Sequence, residues 1–318
     1  MIDHIKVIAH KGIATLHQPT ALVESLILKR RILCKWPPVF IVGPPRSGTT
    51  LLYQLLMSAF HFSYIPNISN TWYMMPVTAA RMGRLLCPSY SSSFSSVHGY
   101  EKGAMAPSEA GNIWNRWFPY EKREGFNYTP AHYLSKPAKN RIVTFVANVE
   151  NMFNAPFLTK NVKMSVRIRP LLEMFPNALF VHMQRNPVHS AASLLNIRRK
   201  KGKSWWSVMP KEYPEIKKMS ELEQVCHQVY YTEMNIKRDL QKVENNRLHE
   251  VNYAKLCTNP VQKLEAIGKF LTGHDIPADA DLTSIPESFP PSRPLKGEHI
   301  EEKELEQIQT ILDRIIEK

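Results

Sequence analysis

Gly43-Pro-Pro-Arg-Ser-Gly-Thr-Thr50 is the stretch of this sequence whose residue types and spacing could do chemistry. Pro44 and Pro45 lack an N–H, and Gly43 and Gly48 allow backbone angles closed to other residues, so the stretch is a loop. Before it, Val39-Phe-Ile-Val42 is apolar and β-rich, long enough for a buried strand but not for a helix. After it, Leu51, Leu52, Leu55 and Leu56 recur at helical spacing. A strand, a tight loop and a helix N-terminus aim main-chain N–H groups at one spot, a natural site for a phosphate. Arg46 adds a cation inside the loop. A second cation, Arg185, follows the apolar run Ala178–Met183, at the strand end where ligands of open α/β sheets bind. Pro187 then opens a helix that carries Ser193 two turns in, near enough to offer a hydroxyl to the same anion. Taken alone, Arg-x-Pro followed by a helical serine is common.

These residues need a scaffold, and the chain supplies alternating strands and helices. Asn140–Phe153 has helical periodicity, Asn161–Val166 alternates like a short strand, and Pro170–Phe175 reads as a short helix. The strand Ala178–Met183 and the helix from Pro187 follow. A long helix, Glu221–Val243, leads to a third strand at Leu248–Tyr253. Asn259-Pro260 starts a helix ending near Thr272-Gly273, residues 276–297 form a Pro-rich loop, and Glu301–Glu317 is a terminal helix. Strand and helix alternating at this spacing predict an α/β fold, a doubly wound, mainly parallel sheet flanked by helices. At the front, residues 3 to about 35 read as a basic amphipathic helix. Such a helix packs on its domain more often than it lies on a membrane, although peripheral membrane contact is compatible with it.

A chain of 318 residues is large enough for one substantial α/β domain. Hydrophobic content of 43% and charged content of 22% are those of a globular protein rather than a disordered one. No apolar run approaches the roughly 18–20 residues that span a bilayer, and Met1-Ile-Asp-His-Ile-Lys6 is too polar for a signal peptide. A cytoplasmic location is therefore expected. The net charge is +13, but the basic residues are dispersed and carry no aromatic ribonucleoprotein signature, so nucleic acid is not the expected partner. A basic surface suits a polyanionic small molecule equally well. Cys34, Cys87, Cys226 and Cys257 lie far apart with no CxxC pair, which argues for buried thiols rather than a disulfide frame or a zinc site.

Gly43 and Gly48 share the GxxxxG spacing of the nucleotide-binding P-loop, but Thr49 stands where a Walker NTPase needs lysine. Pro-Arg-Ser-Gly-Thr-Thr after an apolar strand instead resembles the 5′-phosphosulfate loop of the sulfotransferases that use 3′-phosphoadenosine 5′-phosphosulfate (PAPS). The run Lys163–Pro187 resembles the same family: a lysine ahead of a short helix, a Phe-Pro-Asn-Ala turn, an apolar strand, then Arg185-Asn-Pro and a serine. Asn186 replaces the usual aspartate, and Met164-Ser165 stand where a proline often follows the lysine. Val251-Asn-Tyr-Ala-Lys-Leu256 is similar to the family's Tyr-Glu-Asp-Leu segment, and Lys296-Gly297 to the Lys-Gly of a C-terminal loop. The resemblance covers about residues 38–60 and 160–272 and is closest to the bacterial and tyrosylprotein sulfotransferase group.

That resemblance implies a single P-loop-like sulfotransferase domain over residues 1–318. It comprises the phosphosulfate loop and helix (38–60), an acceptor-binding cap (61–135), the second half of the core (160–272) and a C-terminal helix (298–318). It implies PAPS as donor and 3′,5′-adenosine bisphosphate (PAP) as product, with no metal required. Pro45, Arg46, Ser47, Gly48, Thr49 and Thr50 would hold the 5′ end. Arg185, Ser193, Tyr253, Lys296 and Gly297 would hold the 3′-phosphate and nucleoside. Arg46, then Lys163, are expected to stabilise charge on the leaving oxygen. The general base is expected at Glu109, since Pro107-Ser-Glu109 resembles the Pro-x-Glu of bacterial members, or at His98. Pro66–Trp72, where tyrosylprotein sulfotransferases carry a glutamate, holds no carboxylate. Aromatic residues between 61 and 135 suit a small-molecule, glycan or lipid acceptor bearing a hydroxyl or amine, or simply a helical core. The rival readings are a P-loop kinase or NTPase and a nucleotide-binding module without chemistry. The oligomeric state is not set by the sequence.

Overall fold

Val39–Val42 (β1) is buried at every position because it runs through the middle of a four-stranded parallel sheet. In the computed structural model β1 pairs with Leu158–Lys160 (β2) on one side and Leu179–Gln184 (β3) on the other. Leu248–Asn252 (β4) pairs with the outer side of β3, giving the order β2-β1-β3-β4. The structure describes residues 32–87, 101–118, 125–290 and 300–317, with residues 20–22, 24–28, Tyr90, Ser92 and Phe94. The helices in chain order begin with α1 (Thr49–Ala59), α2 (Asn67–Thr71), α3 (Pro76–Leu86), α4 (Gly111–Trp117), α5 (Lys136–Phe153) and α6 (Ile168–Met174). They continue with α7 (Pro187–Lys200), α8 (Tyr213–Ile216), α9 (Glu221–Leu240), α10 (Tyr253–Thr258), α11 (Pro260–Thr272) and α12 (Glu302–Ile316).

Alternation along the central strands divides the core into two layers, as a sheet covered on both faces requires. Phe40, Val42 and Phe180 face a layer built from Ile142, Phe145 and Val149 of α5, Ile168 and Leu171 of α6, and Ile236 of α9. Val39, Ile41, Leu179 and Val181 face Leu52, Leu55 and Leu56 of α1, Leu256 of α10, and Leu264 and Ile267 of α11. A third cluster joins Leu194 and Leu195 of α7, Val225 and Val229 of α9, and Ile308 and Leu312 of α12. All four strands therefore end at the same edge, where their following loops meet.

The expected doubly wound parallel sheet is present, with local differences. Asn161–Val166 is not a strand: β2 ends at Lys160, and Val162–Val166 is a 3-10 turn. The Asn161 side chain accepts the Lys163 N–H at 2.8 Å, a local bond that replaces the ladder. The helix expected from Pro170 begins at Ile168, with the proline in its first turn, where the missing N–H has no intrahelical partner to lose. α5 starts four residues before the apolar stripe predicts, because Ser135 caps it through the Ala138 N–H. The N-terminal helix is described only at residues 20–22 and 24–27, residues 32–38 are not helical, and the remainder lies outside the described residues. Among the described residues, no helix is long and apolar enough to cross a membrane.

Candidate active site

Gly43 turns the chain out of β1. Its N–H donates to Ser165 Oγ at 3.0 Å, and that hydroxyl donates back to the Gly43 carbonyl at 3.1 Å. A side chain here would start 2.8 Å from the Met183 carbonyl oxygen, so glycine is needed for close passage of the loop over β3. Arg46 has φ +65° and Gly48 has φ +99°. A non-glycine residue in the left-handed region is strained, and such strain concentrates at functional sites. α1 then begins with no side-chain cap and no acidic residue in its first turn. Its leading N–H groups therefore face the loop, as an anion site requires. Ser47 Oγ is buried in this loop without a hydrogen-bond partner among the described residues.

The end of β3 meets the loop from the side. Arg185 Nη1 donates to the Arg46 carbonyl oxygen at 2.6 Å, and its guanidinium stacks 4.5 Å from the Tyr253 ring. Tyr253 opens α10 directly after β4, and a Cβ on Gly48 would lie 2.3 Å from its ring. Arg46 Nε reaches Ser193 Oγ on α7 at 3.0 Å. Two arginines, one tyrosine and two serines from three strand ends thus line one surface. Burial pushes both guanidinium groups below their ordinary pKa; Glu109 and Tyr253 partly offset this for Arg46, and for Arg185 the charge of Arg46 adds to it. An anion between them would relieve both effects.

On the other side of the loop stands a lysine–glutamate pair. Lys160, the last residue of β2, donates from Nζ to Thr50 Oγ1 at 2.8 Å and forms an ion pair with Glu109 Oε1. Glu109 is held through its main chain, whose carbonyl accepts from Asn161 Nδ2 at 2.6 Å. The Lys160 side chain is 5% exposed and that of Glu109 31%, so the carboxylate is the member of the pair open to an incoming molecule.

The model of the sulfotransferase family matches residues 37–274, which include all of these strand ends. The chain belongs to the sulfotransferase family. It is 24% identical over 282 residues to the omega-hydroxy-beta-dihydromenaquinone-9 sulfotransferase Stf3 of Mycobacterium tuberculosis, an alignment covering 79% of this chain and 67% of that protein. The same enzyme of Mycobacterium bovis matches to the same extent. The crystal structure of sulfotransferase STF9 from Mycobacterium avium superposes with a TM-score of 0.56 at 16% identity, over 97% of this chain and 80% of that one, and so shares its fold.

Most of the residues expected at the site of this sulfotransferase come together. Pro45 to Thr50, Arg185, Ser193, Tyr253 and Glu109 surround the ends of β1, β2, β3 and β4. Arg46 differs from its expected place in one respect: its Nε lies on Ser193, so it bridges the loop and α7. The lysine that meets Thr50 and Glu109 is Lys160; the expected Lys163 sits in the 3-10 turn beyond it. Lys160 was legible only as the end of Leu158-Thr-Lys160, a run too short to declare itself a strand. His98, Lys296 and Gly297 lie outside the described residues.

A cavity of about 410 Å³ lies farther along the same face of α1. Met57, Phe60, Phe62, Tyr64, Met105 and Phe153 line it together with His61, Arg84, Cys87 and Tyr90, so its wall mixes apolar side chains with polar groups. Met57 is seven residues beyond Thr50, about 10 Å at 1.5 Å per residue. Gln54, one turn after Thr50, hydrogen-bonds Glu101, which also accepts from the Tyr90 hydroxyl. Burial raises the Glu101 carboxyl above its ordinary pKa, against the opposing pull of those two hydrogen bonds and of Lys160.

Proposed function

We propose that this sulfotransferase moves a sulfuryl group from PAPS to a hydroxyl of an apolar organic acceptor, with PAP as product. The observation that carries this reading is the double attachment of Arg46: its side chain reaches Ser193 and its carbonyl is held by Arg185. The phosphosulfate loop and the end of β3 are thereby one continuous anion-binding surface, suited to a nucleotide charged at both its 5′ and 3′ positions. The buried, unpartnered Ser47 Oγ and the close fit of Gly48 against Tyr253 support the same ligand.

The donor supplies an activated sulfur whose bond to the 5′-phosphate oxygen breaks as the acceptor oxygen bonds to it. The chain's own groups do the rest. Main-chain N–H groups of Gly48 to Thr50 and the Thr50 hydroxyl hold the 5′ end, and Arg185 with Ser193 holds the 3′-phosphate. Lys160 takes the role expected of Lys163, stabilising negative charge as it develops on the leaving oxygen beside Thr50. Glu109, ion-paired to Lys160, accepts the acceptor's proton. The described residues among 61–135 would form the acceptor side. The large apolar side chains among the mixed lining of the cavity along α1 support an acceptor with a hydrocarbon or aromatic body, and the mycobacterial relatives named for a menaquinone derivative agree with that class.

Calorimetric titration with PAP and with ATP plus magnesium tests the donor half. PAP is expected to bind tightly and ATP–magnesium weakly; binding of ATP–magnesium with no binding of PAP would overturn the reading in favour of a kinase or NTPase. Incubation with radiolabelled PAPS and a panel of alcohols of increasing chain length tests the acceptor half, with label transfer expected to favour the more apolar members.

A further inference from the structure

Large apolar side chains left in water concentrate on one part of this molecule. Among the described residues nine are strongly exposed, and Leu22, Leu26, Ile27, Leu33, Met82, Leu85 and Leu86 are seven of them. The first four belong to the segment at residues 20–33 and the last three to α3. The two segments are joined: the Glu24 carboxylate accepts from the Val77 N–H, the Thr78 N–H and the Thr78 hydroxyl at the start of α3. Met82, Leu85 and Leu86 sit at i, i+3 and i+4, one outward stripe of an 11-residue helix. Leu85 is 86% exposed and Leu86 78%, values no packed helix needs.

The stripe adjoins the cavity along α1. Leu85 and Leu86 are flanked in the chain by Arg84 and Cys87, both of which line it. Charge points to the kind of surface that would cover the stripe. α3 contains Arg81 and Arg84 and no acidic residue. Arg84 is anchored by the Met152 carbonyl and the face of Phe153. Lys35, exposed, is tied through its N–H to Glu150, one turn before Phe153. Exposed leucines bordered by cations, on a chain of net charge +13, fit an anionic lipid surface rather than an acidic protein groove.

We propose that α3 seats the enzyme on an anionic bilayer through Met82, Leu85 and Leu86, and that the cavity beside them receives an apolar acceptor directly from the leaflet. The proposal rests on the apolar-acceptor reading above, but its test is separate. Each leucine moved from water to hydrocarbon changes partitioning by roughly tenfold. Flotation of the full chain with phosphatidylglycerol–phosphatidylcholine vesicles is expected to recover it with the lipid, and pure phosphatidylcholine vesicles to recover much less. The triple variant Met82→Ser, Leu85→Ser, Leu86→Ser should lose at least tenfold in vesicle partitioning while keeping its melting temperature, its PAP affinity and its turnover of a short water-soluble alcohol. Arg81→Gln should narrow the difference between the two vesicle types. Failure of the native chain to float, or equal flotation of the triple variant, would overturn the proposal. So would a dimer, measured by light scattering, that dissociates in the triple variant, since the stripe would then belong to a second copy of this chain. Loss of PAP binding or of short-alcohol turnover by the native chain would instead count against the proposed reaction and leave the docking result to be read on its own.

Discussion

Lys160 Nζ donates to Thr50 Oγ1 at 2.8 Å across 110 residues of chain, joining the end of β2 to the first turn of α1. Through the same ammonium, Glu109 is brought to the Gly43–Thr50 loop. The pair sets a carboxylate and an ammonium side by side, the two groups the proposed transfer requires.

Lys160→Met should therefore lower kcat by about 10²–10³, the usual loss for one charge-stabilising donor. PAP affinity should fall much less, because Arg185, Ser193 and the loop N–H groups remain. Glu109→Gln should also lower kcat, whereas Lys163→Met should leave it close to native. Steady-state kinetics with the three variants, beside PAP calorimetry, checks the assignment; a Lys163 variant as inactive as the Lys160 variant would reverse it.

Arg185 touches the loop carbonyl of Arg46 and the Tyr253 ring, at the strand end proposed to hold the 3′-phosphate. Hydrogen bonds to charged groups contribute about 1.5–3 kcal/mol. Arg185→Ala should weaken PAP binding by about 10–100-fold and leave AMP binding nearly unchanged. The ratio of the two affinities is the readout, and a ratio that does not move would remove Arg185 from the 3′-phosphate.

Gly48 combines φ +99° with a ring 2.3 Å from any added Cβ. Gly48→Ala is expected to destabilise the fold by about 1–3 kcal/mol from backbone strain and to displace Tyr253 from under Arg185. Adding Tyr253→Ala should restore space but not the strain. Thermal melts of the single and double variants should both fall below native, with the double variant no weaker in PAP binding than Tyr253→Ala alone.

Glu101 gives a pH signature. Its folded-state pKa is raised by burial above the ordinary 4.5. Below that ordinary value the folded and unfolded chains both hold the proton, and its contribution to stability is fully present. As pH rises through the folded value the unfolded chain has already released the proton, so that contribution is lost. Glu101→Gln, which cannot ionise, should melt higher than native at pH 7, and the difference should shrink toward zero as the pH falls below about 4.5. Melting curves across that range would decide it; a difference independent of pH would remove the carboxyl as its cause.

The sequence by itself determined the elements that repeat a local signal. Val39–Val42 and Leu179–Gln184 are apolar because both faces of a central parallel strand are covered, and that pattern needs no knowledge of the fold. Gly43–Thr50 is a loop because its prolines and glycines permit little else. Arg185 and Ser193 could be placed because a strand end and a proline-started helix fix them within nine residues of chain. Tertiary structure alone decided the rest. β2 is three residues long, too few to show a period, and only pairing with β1 makes Lys160 the end of a strand. Glu109 pairs with Lys160 through its carboxylate and accepts from Asn161 at its carbonyl, more than fifty residues away, contacts that carry no local pattern. The exposed leucines of α3 look in sequence like any core stripe, since burial is a property of what packs against a helix and not of the helix itself.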